Sequence, residues 1–187
     1  MCIRDRPNVL LEQFEDQSLE TIFEHLGIDQ PLLDHYLAER QPLANVNDLN
    51  IFPMAGFEQI LVTPLCAEAA EAMILTARQD NVTIYPISGF RTLAYQAMLI
   101  QRKLDRGEPL AQIMRVNALP GYSEHHTGEA LDLGTTTETD LETAFEETSA
   151  FDWLGRHAQS FGFTLSYPRG NPQGFIYEPW HWRFTKP

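Results

Sequence analysis

Ser123-Glu124-His125-His126-Thr127-Gly128-Glu129-Ala130-Leu131-Asp132 is the stretch whose reading decides the fold. Gly128 suits a tight turn, and Glu129 to Leu133 then reads as a short strand leaving it. Side chains alternate along a strand, so Ala130 and Asp132 share a face, and the small Ala130 leaves room beside the carboxylate. A second stretch, Glu178-Pro179-Trp180-His181, opens a strand from about Trp180 to Phe184. There the same alternation sets His181 and Arg183 against Trp180, Trp182 and Phe184, so the aromatic set can anchor a core while His181 points into a cleft.

These two stretches supply the parts of a zinc centre. Zinc takes ligands that are deprotonated at neutral pH and approach to about 2.0 to 2.2 Å, and His125, Asp132 and His181 meet that requirement. Three protein ligands leave a fourth position open to water, and Glu178 is the spare carboxylate able to take that water's proton. Pro179 biases Glu178 towards an extended backbone, which fixes its approach. Burial among Tyr177, Trp180 and Trp182 predicts a carboxyl pKa above that of a free glutamate. His126, with His25, His35 and His157, reads as an ordinary surface or core histidine.

Outward from these stretches the chain mixes helices and short strands. Leu10 to about Leu37 is helical and acidic, with Leu19, Ile22, Phe23 and Leu26 at helix spacing before Gly27, and a second short helix starting near Pro31. Gln41 to Pro64 lacks periodicity and reads as a linker or wrapping arm. A helix over 64–79 carries Leu65, Ala69, Ala72, Met73 and Leu75 as its apolar stripe, and Val82 to Ile87 follows as a strand whose Pro86 points to a sheet edge. Thr92 to Leu104 returns to helix, and Glu108 to Met114 reads as a short helical turn. A helix capped at Thr148 or Ser149 runs through Trp153 and Ala158 to Gly162. A strand at about Phe163 to Ser166 and the one at Trp180 to Phe184 flank a glycine-rich turn at 170–174. Without strict βαβ alternation, the expected class is α+β: a small, largely antiparallel sheet with flanking helices and the zinc site in a cleft on the sheet. The division is an adapter-like hexapeptide at 1–6, a helical appendage and linker at 7–60, and the main domain at 61–187. Residues 1–6 resemble the in-frame translation of a sequencing-library adapter and are set aside from the fold argument.

With 187 residues and 43% hydrophobic composition the chain can bury one sizeable core. Its 26 acidic against 13 basic residues give a formal charge of -13, which repels a polyanion and argues against nucleic-acid binding. Cys2 and Cys66 are too few and too isolated for a disulfide framework, and Cys66 reads as a small buried residue. No run approaches the roughly 18 apolar residues of a membrane span. No signal-peptide pattern is present, although an export signal or anchor preceding this fragment is compatible with its opening.

The residues quoted above, together with Ser88-Gly89-Phe90-Arg91, Gln96 and the Gly162-Phe163 to Tyr167-Pro168 strand, resemble the VanY-type D-alanyl-D-alanine carboxypeptidases. These are zinc peptidases of the M15 group that trim bacterial cell-wall peptides. The resemblance covers about Pro64 to Phe184. It implies one zinc ion held by His125, Asp132 and His181, Glu178 as catalytic base, and Arg91, Gln96 and Ser123 as substrate contacts, with Arg91 also stabilising the oxyanion. Motif spacing favours His125 over the adjacent His126. A planar, always-charged guanidinium suits either a terminal carboxylate or a developing oxyanion. Ser123 also fits a turn residue and Gln96 a solvated helix position. The implied function is removal of a terminal D-alanine from peptidoglycan stem peptides by a monomer in the periplasm or envelope. An L,D-carboxypeptidase or an endopeptidase is the alternative, and a non-catalytic zinc-dependent cell-wall peptide-binding module is the reading from another class.

Overall fold

The computed structural model describes residues 7–53, 56, 59–136 and 141–185; the adapter-like residues 1–6 lie outside them. In chain order the elements are α1 (Pro7–Glu12), α2 (Leu19–Leu26), α3 (Gln30–Asp34), β1 (Asn50–Ile51), β2 (Leu61–Val62), α4 (Pro64–Gln79), β3 (Tyr85–Ser88) and α5 (Leu93–Asp105). They continue with α6 (Leu110–Ile113), β4 (Ala130–Gly134), α7 (Ser149–His157), β5 (Phe163–Leu165) and β6 (His181–Phe184).

The expected α+β class holds. A four-stranded sheet has the order β3-β4-β6-β5, and every neighbouring pair is antiparallel. Its central strand β4 is buried along its whole length, with Leu131 and Leu133 fully inaccessible. The β4–β6 register places Asp132 opposite His181, and the β3–β4 register places Ser88 opposite Asp132. Residues distant in sequence are thereby set side by side by backbone pairing alone.

Two clusters of apolar side chains hold this arrangement. The first packs α4 and α7 against the sheet. The buried face of α4 carries Cys66, Ala67, Ala70, Met73, Ile74 and Ala77, mostly small residues, so the helix lies close to the strands. The expected stripe of Leu65, Ala69, Ala72, Met73 and Leu75 was offset: Leu65 and Leu75 are exposed, and the face is turned towards the alanines. Trp153 on α7 is buried and donates its indole N–H to Asp80 Oδ2 at 2.7 Å, which fastens α7 to the end of α4. Trp182 and Phe184 of β6 and the preceding Trp180 join the same core, as the strand alternation predicts.

The second cluster packs Phe14, Ile22 and Leu26 of the amino-terminal segment against Ala97, Met98 and Ile100 of α5. The Ser18 hydroxyl caps α2 by accepting from Thr21 N, and Asp29 caps α3 by accepting from Leu32 N. The helical stretch expected from Leu10 is broken between α1 and α2, where Asp16 takes φ 60 ahead of the Ser18 cap. Strand β3 also begins later than the expected Val82. The Val82 N–H bonds back to Ala77 O at 2.9 Å and finishes α4, so its β-branched side chain sits on a helix end and not in a ladder. The edge position of β3 is as expected from Pro86, with a shift of register between Pro86 and Ser88.

Residues 41–49 run as a strap along the loop that precedes β4. Gln41 N bonds to Gly121 O, Ala44 N to His126 O and, directly after β2, Thr63 N to Gly128 O, each at 2.9 Å. Tyr36 hydroxyl accepts from Leu119 N at 3.1 Å. Among the described residues no helix is long and apolar enough to cross a membrane.

Candidate metal centre and catalytic cleft

His125 lies in a 3-10 turn, Glu124–Thr127, that ends at Gly128, whose φ of 68 carries the chain into β4. Its Nδ1 donates to Gly89 O at 2.7 Å, so the neutral ring keeps the Nε2 lone pair free. Gly89 itself packs directly against β2 and the residue before it, where a Cβ would stand 2.6 Å from Leu61 O and 2.8 Å from Ile60 Cγ2. His125 Nε2 lies 3.3 Å from Asp132 Oδ2, and His181 Nδ1 lies 3.0 Å from Asp132 Oδ1. One ligand atom from each of His125, Asp132 and His181 falls within 4.8 Å of the others, and all three residues are buried. Two nitrogens and one oxygen this close together form a donor set suited to a zinc ion with one open position.

Protonation follows from these surroundings. Burial lowers the pKa of His125, the Arg91 charge adds to that, and the imidazole is held neutral with a pKa of about 4 despite Asp132. Burial works to raise the Asp132 carboxyl, but His125 and Arg91 outweigh it and hold the group well below the usual carboxylate range. His181 lies between two carboxylates. Burial opposes its charge, yet hydrogen bonds to Asp132 and Glu124 carry its pKa up to about 10. A cation taking Nδ1 therefore competes with a proton.

Motif spacing favoured His125 over the adjacent His126 as the imidazole that faces the centre. The His126 ring is fully buried and both nitrogens serve the backbone: Nδ1 donates to Arg91 O at 2.7 Å, and Nε2 accepts from Gly121 N at 3.0 Å. His126 thus braces the loop, and His125 faces Asp132.

The three metal-centre residues open into a cleft of about 190 Å³ that Arg91, Gln96, Ser123, Glu178 and Trp180 also line. Every residue proposed for the site from sequence is therefore brought together. Arg91 spends part of its fork on Asp132 Oδ2, at 2.6 Å, and on Ser88 Oγ, at 3.0 and 3.1 Å. A guanidinium has five N–H groups, so this leaves donors for a ligand. Gln96 is a buried helix residue, not a solvated one: Nε2 donates to Ala118 O at 2.7 Å, while its buried Oε1 has no hydrogen-bond partner among the described residues. Ser123 is buried at the start of the 3-10 turn and makes no capping bond with its side chain. Glu178 is 8% exposed, and burial lifts its carboxyl to about 7, with His181 pulling the other way. Burial predicted that direction from sequence.

Glu124, Tyr167 and Ser166 were missed. Glu124 is buried and its carboxylate accepts from His181 Nε2 at 2.9 Å, Ser166 Oγ at 2.6 Å and Arg183 Nη1 at 3.0 Å. The Tyr167 ring stacks on His181 with centroids 4.7 Å apart and planes at 25°. The available signal was positional: Glu124 directly precedes a ligand histidine, and Arg183 shares the His181 face of β6.

Comparison with known proteins agrees with this geometry. Residues 59–187 match the family model for VanY, D-alanyl-D-alanine carboxypeptidase. A putative carboxypeptidase, YodJ of Bacillus subtilis (strain 168), is 30% identical over 123 residues, covering 64% of this chain and only 44% of its own length. The chain thus spans less than half of that relative. Among solved structures, the LdcB LD-carboxypeptidase superposes with a TM-score of 0.67 at 26% identity, covering 79% of this chain and 74% of the other. A mutant of the vancomycin-resistance D,D-pentapeptidase VanY in complex with Zn(II) superposes with a TM-score of 0.63 at 25% identity, covering 80% and 86%.

Proposed function

The chain belongs to the VanY family of D-alanyl-D-alanine carboxypeptidases, and from that membership we propose that it is a zinc-dependent D,D-carboxypeptidase removing the terminal D-alanine of peptidoglycan stem peptides at the cell envelope. The observation that carries this reading is the convergence of His125, Asp132 and His181 on one point in a cleft that also holds Glu178. We further propose the domain division at about residue 60, near where the family match begins.

His125 Nε2, the Asp132 carboxylate and His181 Nδ1 would hold the ion. When bound, zinc supplies a Lewis acid that polarises the scissile carbonyl and lowers the pKa of water. Glu178 accepts a proton from the attacking water and returns it to the leaving amine, a role matched by a carboxyl pKa near the working pH. Arg91 directs its remaining N–H groups at the terminal carboxylate of the peptide or at the oxygen on which negative charge builds. Gln96 Oε1, already desolvated, accepts from a substrate N–H, and Ser123 offers a hydroxyl from the same wall. No covalent bond to the protein is formed. At about 190 Å³ the cleft is below the usual 300 to 1,000 Å³ of drug-sized sites, which suits a small terminal residue over a long internal segment.

The likeness to an LD-carboxypeptidase supports L,D cleavage as the second reading. A muropeptide digest followed by mass spectrometry separates them. Loss of one alanine from pentapeptides supports D,D cleavage, and loss from tetrapeptides alone supports the L,D reading. Internal fragments would point to an endopeptidase, and unchanged masses with zinc bound to a non-catalytic binding module. Glu178→Ala should keep zinc and lose about 10² to 10⁴ in rate; wild-type turnover by that variant would remove Glu178 as the base.

A further inference from the structure

Each imidazole of the centre has two nitrogens, and a ring can give a lone pair to a cation from one only while the other holds its proton. For His125 the backbone settles the choice, since Gly89 O takes the Nδ1 proton. For His181 no backbone carbonyl among the described residues does so. Its Nδ1 faces Asp132 and its Nε2 faces Glu124 Oε2 at 2.9 Å. The Glu124 carboxylate is itself fixed, with Ser166 Oγ on the same oxygen and Arg183 Nη1 on the other. Paired with the Arg183 guanidinium at 3.0 Å, the carboxylate is held in place as an acceptor.

We infer that Glu124 is the positioning residue of the metal centre: it holds the His181 ring as the Nε2–H form, presents Nδ1 to the ion, and through its charge makes that nitrogen a better donor. The inference rests on the reading of His125, Asp132 and His181 as the ligand set. Glu124 acts through His181 and touches no reacting atom. Carboxylates that accept from the distal nitrogen of a ligand histidine raise the basicity of the ring, and their loss typically costs about 10- to 100-fold in metal affinity.

The test measures zinc dissociation constants by competition with a chromophoric chelator, with no substrate present. Wild type, Glu124→Gln and Glu124→Ala are compared. Glutamine keeps an acceptor oxygen but loses the charge, so the expected order is wild type tightest, glutamine weaker by several-fold, and alanine weaker by about 10- to 100-fold. Because alanine strands the Arg183 guanidinium, the double variant Glu124→Leu/Arg183→Met, which removes both charges, is measured alongside. It should show the alanine-like loss. Excess zinc should return kcat to near the wild-type value in all of them, a rescue that a collapsed site would not permit. Affinities within twofold of wild type in the glutamine variant and the double variant would overturn the inference. Failure of the wild type itself to bind zinc would instead overturn the ligand assignment on which it rests.

Discussion

Replacing Gly128 by alanine attacks the turn that joins His125 to the Asp132 strand. Two costs can be worked from the structure. The residue has φ 68, a left-handed conformation that costs an L-residue with a side chain roughly 1–2 kcal/mol. A Cβ would also lie 2.7 Å from Leu49 Cδ2 and 3.4 Å from Thr63 Cγ2. The first contact is impossible without movement, but it involves the tip of a flexible side chain on the strap, so relief by rotation costs on the order of 1 kcal/mol. The sum is about 2–3 kcal/mol. For a chain of this size that corresponds to a fall in melting temperature of about 5–10 °C, readable by calorimetry. Leu49→Ala separates the two costs: in a double-mutant cycle it should recover the contact portion, about 1 kcal/mol, and leave the backbone portion untouched. Gly155→Ala is the control, because Gly155 lies inside α7 with open space where its Cβ would go, and alanine there should stabilise by about 0.5–1 kcal/mol. A Gly128→Ala protein melting within 2 °C of wild type, as a rough threshold, would refute the reasoning.

Two other outcomes follow from protonation. Glu178 must be deprotonated to act as a base, and its pKa is raised from 4.5 to about 7, so kcat/KM should rise tenfold per pH unit on the acid side, reach half its plateau at about pH 7 and level off about one unit higher. A bound cation favours the carboxylate and moves this limb downwards; a rate profile with no acid limb above the pH at which zinc is lost would exclude the assignment. Burial pushes the Cys66 thiol well above its ordinary range, so in the native protein it should alkylate with iodoacetamide at least about 100-fold more slowly than in urea at pH 8, as read by peptide mass mapping. Equal rates would place Cys66 outside the core.

How much of this was legible in the sequence depended on what carried the signal. The α+β class followed from element order, and the meeting of His125, Asp132 and His181 from the chemistry of a few residue types at fixed spacing. The aromatic face of β6 followed from its period of two. Where backbone groups made the decision, side-chain patterns failed: Val82 and Thr83 have strand-like side chains, yet the Val82 N–H closes α4. The register of the strap has no side-chain signature, because Gln41 and Ala44 engage the loop through their amides. Glu124 was illegible for another reason. An acidic residue in a chain with 26 of them reads as surface, and only the fold reveals that β6 brings His181 and Arg183 to it.

The strap also bears on the order in which the molecule opens. The bond from Leu119 N to the Tyr36 hydroxyl joins residues 83 apart, and the Gln41 and Ala44 amides of the strap are held by loop carbonyls and not by a sheet interior. Closing so long a loop is entropically costly and returns few bonds, so the strap should dock after the sheet has formed and detach before it melts. Amide hydrogen exchange in the native state would then show Gln41 and Ala44 exchanging through a partial opening of low free energy, while Leu131 and Leu133 wait for global unfolding. The loop carrying His125 would loosen with the strap, so the part of the molecule that tolerates the least displacement is kept in place by the part that leaves first.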